Sequence, residues 1–394
     1  MPPNSGAKVV IYNRIINLRD AFDITFCAPV ITPDDSESMR LLQSFCTCLG
    51  VDCSAQNQHR ENRIINWLRE PCVADFKSIF HAFYHHPDLV ALVQSGQFDL
   101  IEFHHAHWFH PLITQSPAKL VLCNHNNEIR YYFGLTKSHF RNGRWLKGIG
   151  RVLDLFQVSR QVRKAIRNSN LIVCVSPLEC QDINHHYPKQ KAIVNYAGVD
   201  LGFYNSTIFE PILCQGSPVL IYIGALFVEH IGDAAVEFAT QVFPHIRSQH
   251  PDARFLIVGD YRERSDIPEL TRNSPGVLVT GLVSDVRPYL DSSDIVVVPL
   301  RYGAGVRFKI MEALAMSKPV VSTAKGCEGL GLESGTHIEV VEDLHAMTQS
   351  ILDLWQDKDH LKQLAAHGRE YAEEYFCTRR NHDQLLSVFQ SLIN

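Results

Sequence analysis

One alternation governs what this chain can fold into. A short apolar run stops at Gly, Pro or a small polar residue, a longer amphipathic stretch follows, and the pattern starts again. Parallel strands need long crossovers, and a helix is the usual one, so the alternation reads as βαβ and the fold class as α/β. In the first half the strand runs are 23–29, 100–104, 120–124, 171–175 and 192–194, with helical spacing over 9–22, 36–49, 76–94, 148–167 and 177–185. Ser176 precedes the last of these helices as an N-cap. In the second half the strand runs are 218–223, 253–258, 277–280, 294–299, 318–322 and 337–341, with helices over 233–249 and 306–316. Gly224, Gly259 and Gly281 close three of those strands, which suits parallel strands feeding loops at their carboxyl ends. The tail 360–394 reads as two helices broken near Phe376–Thr378.

With 394 residues the chain exceeds one compact core and suits two domains. The turn-rich stretch Gly202–Gly216 has no period and marks the boundary. The expected division is 1–205, 206–372 and a terminal helix in 373–394. Apolar residues are 45% and charged residues 20%, a globular composition. A net charge of −5 gives no general basic field, so no nucleic-acid partner is expected. No run of apolar residues is long enough to span a bilayer, and MPPNSGAKVV does not read as a signal peptide, so the expected location is the cytoplasm. Eleven cysteines are scattered, and Cys46, Cys48 and Cys53 lack the second half of a zinc motif. They read as small hydrophobes in a reducing compartment.

The segment Val298–Leu330 carries the chemistry. A strand runs into Gly303, Ala304 and Gly305, where the two glycines let backbone approach a ligand. Val306 follows, and then a helix whose first turn holds Arg307 and Lys309. Free N–H groups and the helix dipole already make that end positive, so two more cations there call for a bound anion. A diphosphate would take both the backbone donors and the cations. Glu312, one turn on, could accept two hydrogen bonds from a ribose diol. The plain alternative is a surface helix with solvated cations. A dinucleotide turn is the other competitor, but Phe308 stands where its third Gly belongs, and the next strand ends in Ser322 and Thr323 without an acid.

This segment resembles the donor-site signature of glycosyltransferase family 4, the group 1 type of retaining sugar-nucleotide enzyme with the GT-B fold. Pro218–Gly259, Val277–Pro299 and, in the first half, LVLCNHNNE, NSNLIVCVSPLE and IVNYAGVD are similar to the same family, about 300 residues in all. The resemblance implies two Rossmann-like domains with parallel sheets facing across a cleft, and a C-terminal helix crossing back to the N-terminal domain. It implies an acceptor-binding first domain and a nucleotide-sugar-binding second domain. Glu312 matches the second Glu of the family's E-x7-E pair, which holds the ribose; the first falls at Ala304. Arg307 and Lys309 match the phosphate-binding cations of relatives that read G-x-R-x-K-x-x-E. Gly224, Gly303, Gly305 and Val306 fall in the donor loops, and Leu282 and Val283 in the loop whose backbone reads the base. His125 matches an N-domain His that faces the donor sugar. The first strand of such relatives is missing here, since Pro2–Gly6 already resembles the loop after it.

Two features of the first half stand beside this. Residues 129–168 carry ten Lys/Arg and one acid, Asp154, with Tyr131, Tyr132, Phe133, Phe140 and Trp145 among them. That mixture suits an anionic membrane surface or a lipid-diphosphate acceptor, and otherwise a solvated helix face. His104, His105, His107 and His110 follow a strand, and His104, His105 and Glu128 are expected on the acceptor side rather than around a metal. The expected function is transfer of a sugar from a nucleoside-diphosphate sugar to a sugar, lipid-linked or other hydroxyl acceptor, with retention, without a metal or other cofactor, in polysaccharide or glycoconjugate synthesis. The catalytic residues are expected to be His125, Arg307 and Lys309. Two other readings stay open: an epimerase or phosphorylase on the same scaffold, and a non-catalytic binding subunit.

Overall fold

A computed structural model describes residues 6–54, 77–125, 127–141, 145–205, 209, 212, 214–303 and 307–394. The chain forms two compact units, 1–197 with 382–394, and 198–381. Each is built on parallel sheet.

In the second unit, strands β7 (Val219–Ile223), β8 (Arg254–Val258), β9 (Val277–Gly281), β10 (Ile295–Val298), β11 (Val320–Thr323) and β12 (Glu339–Val341) lie in the order β12-β11-β10-β7-β8-β9. All their pairings are parallel. β7, β8, β10 and β11 are buried throughout or nearly so, as strands covered on both faces must be. From β7 the chain lays β8 and β9 to one side, and then returns to lay β10, β11 and β12 on the other. The strand order therefore reverses between β7 and β10. In open α/β sheets the loops at the carboxyl ends of such a pair splay apart and leave a crevice for a ligand. Gly224 ends one of those strands and Gly303 follows the other.

In the first unit, the strands β3 (Leu100–His104), β4 (Lys119–Asn124), β5 (Leu171–Cys174) and β6 (Ala192–Val194) pair in chain order, all parallel. β1 (Thr25–Val30) and β2 (Thr47–Asp52) pair only with each other among the described residues. One core lies between these strands and the helices Lys77–Tyr84 and Pro87–Gln94, with Phe80, Phe103, Phe109 and Leu122 buried in it. On the other side, Leu385 and Phe389 of the terminal helix Thr378–Ile393 pack with Leu18, Val121, Leu171 and Val173.

Several elements differ from the sequence expectation. The helix expected over 36–49 ends at Leu42, and 47–52 is a strand. Apolar residues happen to continue the helical spacing, but Gly50 weakens a helix there, and the β-branched Thr47 and Val51 favour the pleated pairing that β1 offers. The helix expected over 76–94 is two helices, because Pro87 holds His86 extended. The segment Asp266–Asn273, expected as neither helix nor strand, is a helix.

Candidate active site

The second unit gathers its polar groups at the carboxyl ends of β7 and β10. Gly303 takes φ 120°, and a Cβ there would meet the His230 ring at 2.7 Å and Arg307 Nη2 at 3.2 Å. Only glycine lets the chain pass beneath both side chains. Arg307 is half-buried, and burial lowers its pKa, with the Tyr222 phenol and Glu328 opposing that shift. Burial, and then the nearby Arg307 charge, lower the pKa of His230 as well. Tyr222 donates its hydroxyl to the Ile231 carbonyl at 3.1 Å and lies beside Arg307. Gly224 and Gly259 sit back to back at the ends of β7 and β8, where a Cβ on Gly259 would run into the Gly224 carbonyl. A positive side chain is thus held between two glycine-lined strand ends.

Arg307 is the N-cap of the helix Phe308–Ala315, and no side chain caps that end. Lys309, on its first turn, reaches Glu312 Oε2 at 3.0 Å and Oε1 at 3.4 Å. Glu312 is buried, and the Tyr204 hydroxyl lies beside it. Burial, and then the Glu312 charge, push the Tyr204 phenol up. Phe203, next to it, is pinned by Arg287, which bonds its carbonyl at 2.8 Å and stacks on its ring at 3.8 Å. Asp285 in turn holds Arg287 at 2.6 Å. Leu282 follows β9 and is 77% exposed, and Val283 beside it is half-buried. Ala304, Gly305 and Val306 lie outside the described residues.

The first unit brings a different set together. His104 ends β3, and His125 follows β4, the adjacent strand. Their rings stack at 5.0 Å, with His104 Nδ1 and His125 Nε2 2.7 Å apart. His105, at φ 67°, turns the chain so that its ring lies 4.6 Å from His125 and its Nδ1 3.4 Å from Glu128 Oε1. His107 places Nδ1 at 2.7 Å from the same oxygen, and its backbone N–H donates to Glu128 Oε2 at 3.0 Å. Arg14 pairs with Glu102 and donates to Asn195 Oδ1 at 3.3 Å. Burial lowers His104 to about 4 and His125 to about 3, with further lowering at His125 from His105 and Arg14. Burial would raise Glu128, but hydrogen bonds from His105 and His107 take it down to about 2. Glu179, near Glu128, goes the other way, to about 8, chiefly through burial.

Among the described residues, two sets have ligand types that suit a metal: His104, Cys123 and His125, and His105, His107 and Glu128. Ligands of one tetrahedral zinc stand about 3.3 Å or more apart. The 2.7 Å separations within each set are shorter, so these groups bond to one another in this arrangement.

All of the sequence-expected residues of the first unit (His104, His105, His125 and Glu128) therefore fall into one cluster. In the second unit, Arg307 and Gly303 come together, and Glu312 and Lys309 bond to each other. His230, Tyr204, Tyr222, Arg14 and Cys123 were not foreseen. His230 had a signal, a titratable residue in the glycine-bounded segment 224–232 after β7, where the structure sets it on the first turn of the helix Glu229–Glu237. Tyr204 had none, because it comes from the stretch without a period.

Residues 5–203 match the family described as Glycosyltransferase Family 4, and residues 217–357 match Glycosyl transferases group 1. The chain belongs to the group 1 and family 4 glycosyltransferases. Among curated relatives, this glycosyltransferase is 19% identical to spore coat protein SA of Bacillus subtilis (strain 168), over 82% of its own length and 88% of the relative's. It is 20% identical to an uncharacterized 44.6 kDa protein in the cps region of Klebsiella pneumoniae, over 41% of its own length and 43% of that protein's, less than half. Its fold is that of HepE from Anabaena, solved with UDP and glucose, at a TM-score of 0.66 and 15% identity over 99% of this chain and 97% of that one. Sucrose-phosphate synthase from Thermosynechococcus elongatus has the same fold, at a TM-score of 0.66 and 17% identity over 98% and 94% of the two chains. The architecture is GT-B.

Proposed function

We propose that this glycosyltransferase takes a sugar from a nucleoside-diphosphate sugar and transfers it to an acceptor hydroxyl with retention at the anomeric carbon, in polysaccharide or glycoconjugate synthesis. The observation that carries the donor assignment is the half-buried Arg307 beside Gly303 at the strand-order reversal, a crevice where a guanidinium and close-approaching backbone can meet a diphosphate. HepE, of the same fold, was solved with UDP, and the relatives named for the cps region and the spore coat supply the biosynthetic context.

Departure of the sugar leaves negative charge on the diphosphate. Arg307, Lys309 and the N–H groups of the helix 308–315 would stabilise it as it develops, and a fixed cation in a partly dry site is effective at that task. In this reading those groups, and not a metal, carry the leaving-group charge. Glu312 would hold the ribose, and the backbone at Leu282 and Val283 the base. Gly224 and Gly303, with Gly305 and Val306, would keep the donor loops open. His125 is assigned to the sugar, and His104, His105 and Glu128 to the acceptor. With His104 and His125 uncharged, they can exchange hydrogen bonds with sugar hydroxyls without carrying a charge into the site.

The test is a thermal-shift panel of UDP, GDP, ADP, dTDP and CMP, on the native chain and on Lys309→Ala. A ligand at about 100 times its Kd stabilises by about 2.7 kcal/mol. One diphosphate should raise the midpoint, with the rise lost in the variant. No shift from any of them would overturn the donor site. Incubation with donor alone separates transfer from epimerisation or phosphorolysis, and activity retained in chelator checks metal independence.

A further inference from the structure

The helix Trp145–Asn168 is amphipathic in an unusual sense. One face is packed: Gly148 lies against the Phe140 ring, Asp154 is buried with Arg151 at 2.9 Å, Val158 is buried, and Gln161 donates to the Phe109 carbonyl at 3.1 Å. The opposite face carries a second set of apolar residues. Trp145, Ile149, Val152, Leu153 and Phe156 recur every three or four positions, and so form one stripe, each between 45% and 65% exposed. Along the helix this stripe is about 17 Å long. It does not end in neutral polar residues. Arg160, Arg163, Lys164 and Arg167 continue the same line, all exposed, and Arg160 lies over the Phe156 ring at 5.9 Å. The neighbouring helix Glu128–Arg141 adds exposed Tyr131 and Phe133.

We propose that this face is a docking surface for a lipid bilayer with anionic headgroups, with the Trp145–Phe156 stripe entering the interface and the cations past it meeting the headgroups. Residues 129–168 hold ten Lys/Arg and one acid in a chain of net charge −5, so the positive field is local to this hairpin. The one acid, Asp154, is buried, which leaves no acid on the exposed stripe. A second copy of the chain is a poor occupant, because a symmetric dimer would set two such cationic faces against each other. A bilayer accepts both halves of the stripe, since tryptophan and other amphipathic rings favour the headgroup level and each Lys or Arg near an anionic surface adds attraction. No described helix is long and apolar enough to cross a membrane, so the contact would be peripheral. The surface is built from residues of the first unit alone, and the proposal does not depend on the donor assignment.

The test is co-sedimentation of the full chain with vesicles of phosphatidylcholine, and with vesicles of phosphatidylcholine and phosphatidylglycerol in equal parts. The native chain should sediment with the anionic vesicles and stay in solution with the neutral ones. The variant Trp145→Ser, Ile149→Ser, Phe156→Ser should lose that binding. Arg160→Gln, Arg163→Gln, Lys164→Gln, which leaves the apolar stripe intact, should bind about 100-fold more weakly. Circular dichroism melting and the nucleotide thermal shift should match the native chain in both variants, which separates this surface from the donor site. Failure of the native chain to bind anionic vesicles, or equal binding by both variants, overturns the proposal. So does a native dimer that the serine variant converts to monomer, since the occupant would then be a second copy.

Discussion

His104 and His125 share one hydrogen bond, Nδ1 to Nε2 at 2.7 Å, across the ends of two adjacent parallel strands. A single proton can sit between them, and burial holds His104 at about 4 and His125 at about 3. An unfolded His titrates near 6.5, so between about pH 6.5 and 4 the unfolded chain binds protons that the folded chain refuses. The pair's contribution is therefore complete above about pH 6.5 and is lost as pH falls towards the folded values. Each His steepens the loss by about 1.4 kcal/mol per pH unit. Melting temperature followed from neutral pH down to about pH 4 should fall more steeply in the native chain than in His125→Gln. Parallel curves would show that the two rings are not held neutral.

Arg307→Gln should lower kcat by about 100-fold or more, because the lost charge acts on the leaving diphosphate as it forms. Lys309→Ala should cost less in kcat. Its ammonium is already shared with Glu312 at 3.0 Å, and so part of its charge is spent there. Steady-state rates with the nucleotide sugar that the thermal-shift panel selects would rank the two. A larger kcat loss for Lys309→Ala would mean that Lys309 leaves Glu312 when the donor binds.

The alternation of apolar runs and helices was enough to read the α/β class, and all six strands of the second unit were expected within a few residues. They are legible because buried parallel strands are nearly continuous apolar runs with glycines at their ends. β2 was not legible. Its pairing with β1 is a long-range choice, and Cys46–Asp52 carries no turn signal that separates it from the helix before. The site divides in the same way. Arg307, Lys309 and Glu312 are neighbours in sequence, and their spacing on a helix is enough to group them. The carboxylate of Glu312 meets Tyr204 only because the chain folds Phe203 onto Arg287, and nothing in a linker without a period announces that contact.

That contact leads to a prediction of its own. Glu312 is already bonded by Lys309 and has the Tyr204 phenol beside it, so a ribose diol must displace the phenol to be held by both oxygens. Hydrogen bonds to charged groups are worth about 1.5–3 kcal/mol net. Tyr204→Phe should therefore tighten nucleoside diphosphate binding by about tenfold, measured by calorimetry, while lowering the melting temperature. Weaker binding in Tyr204→Phe would mean that the phenol stays and helps to orient the carboxylate.

Gly303 and Gly335 make a matched test of the glycine loop. Both have positive φ, 120° and 76°, but a Cβ on Gly303 meets the His230 ring at 2.7 Å, whereas a Cβ on Gly335 meets nothing within 4 Å. Gly335→Ala bears only the conformational cost, about 1 kcal/mol. Gly303→Ala bears that cost and must also push His230 and Arg307 aside. It should destabilise by about 1–3 kcal/mol and weaken diphosphate binding, whereas Gly335→Ala leaves the binding unchanged. Melting temperature and diphosphate Kd measured on both variants read the two effects separately. Native-like binding by Gly303→Ala would show that His230 and Arg307 move freely, and that the loop does not hold them in place for the donor.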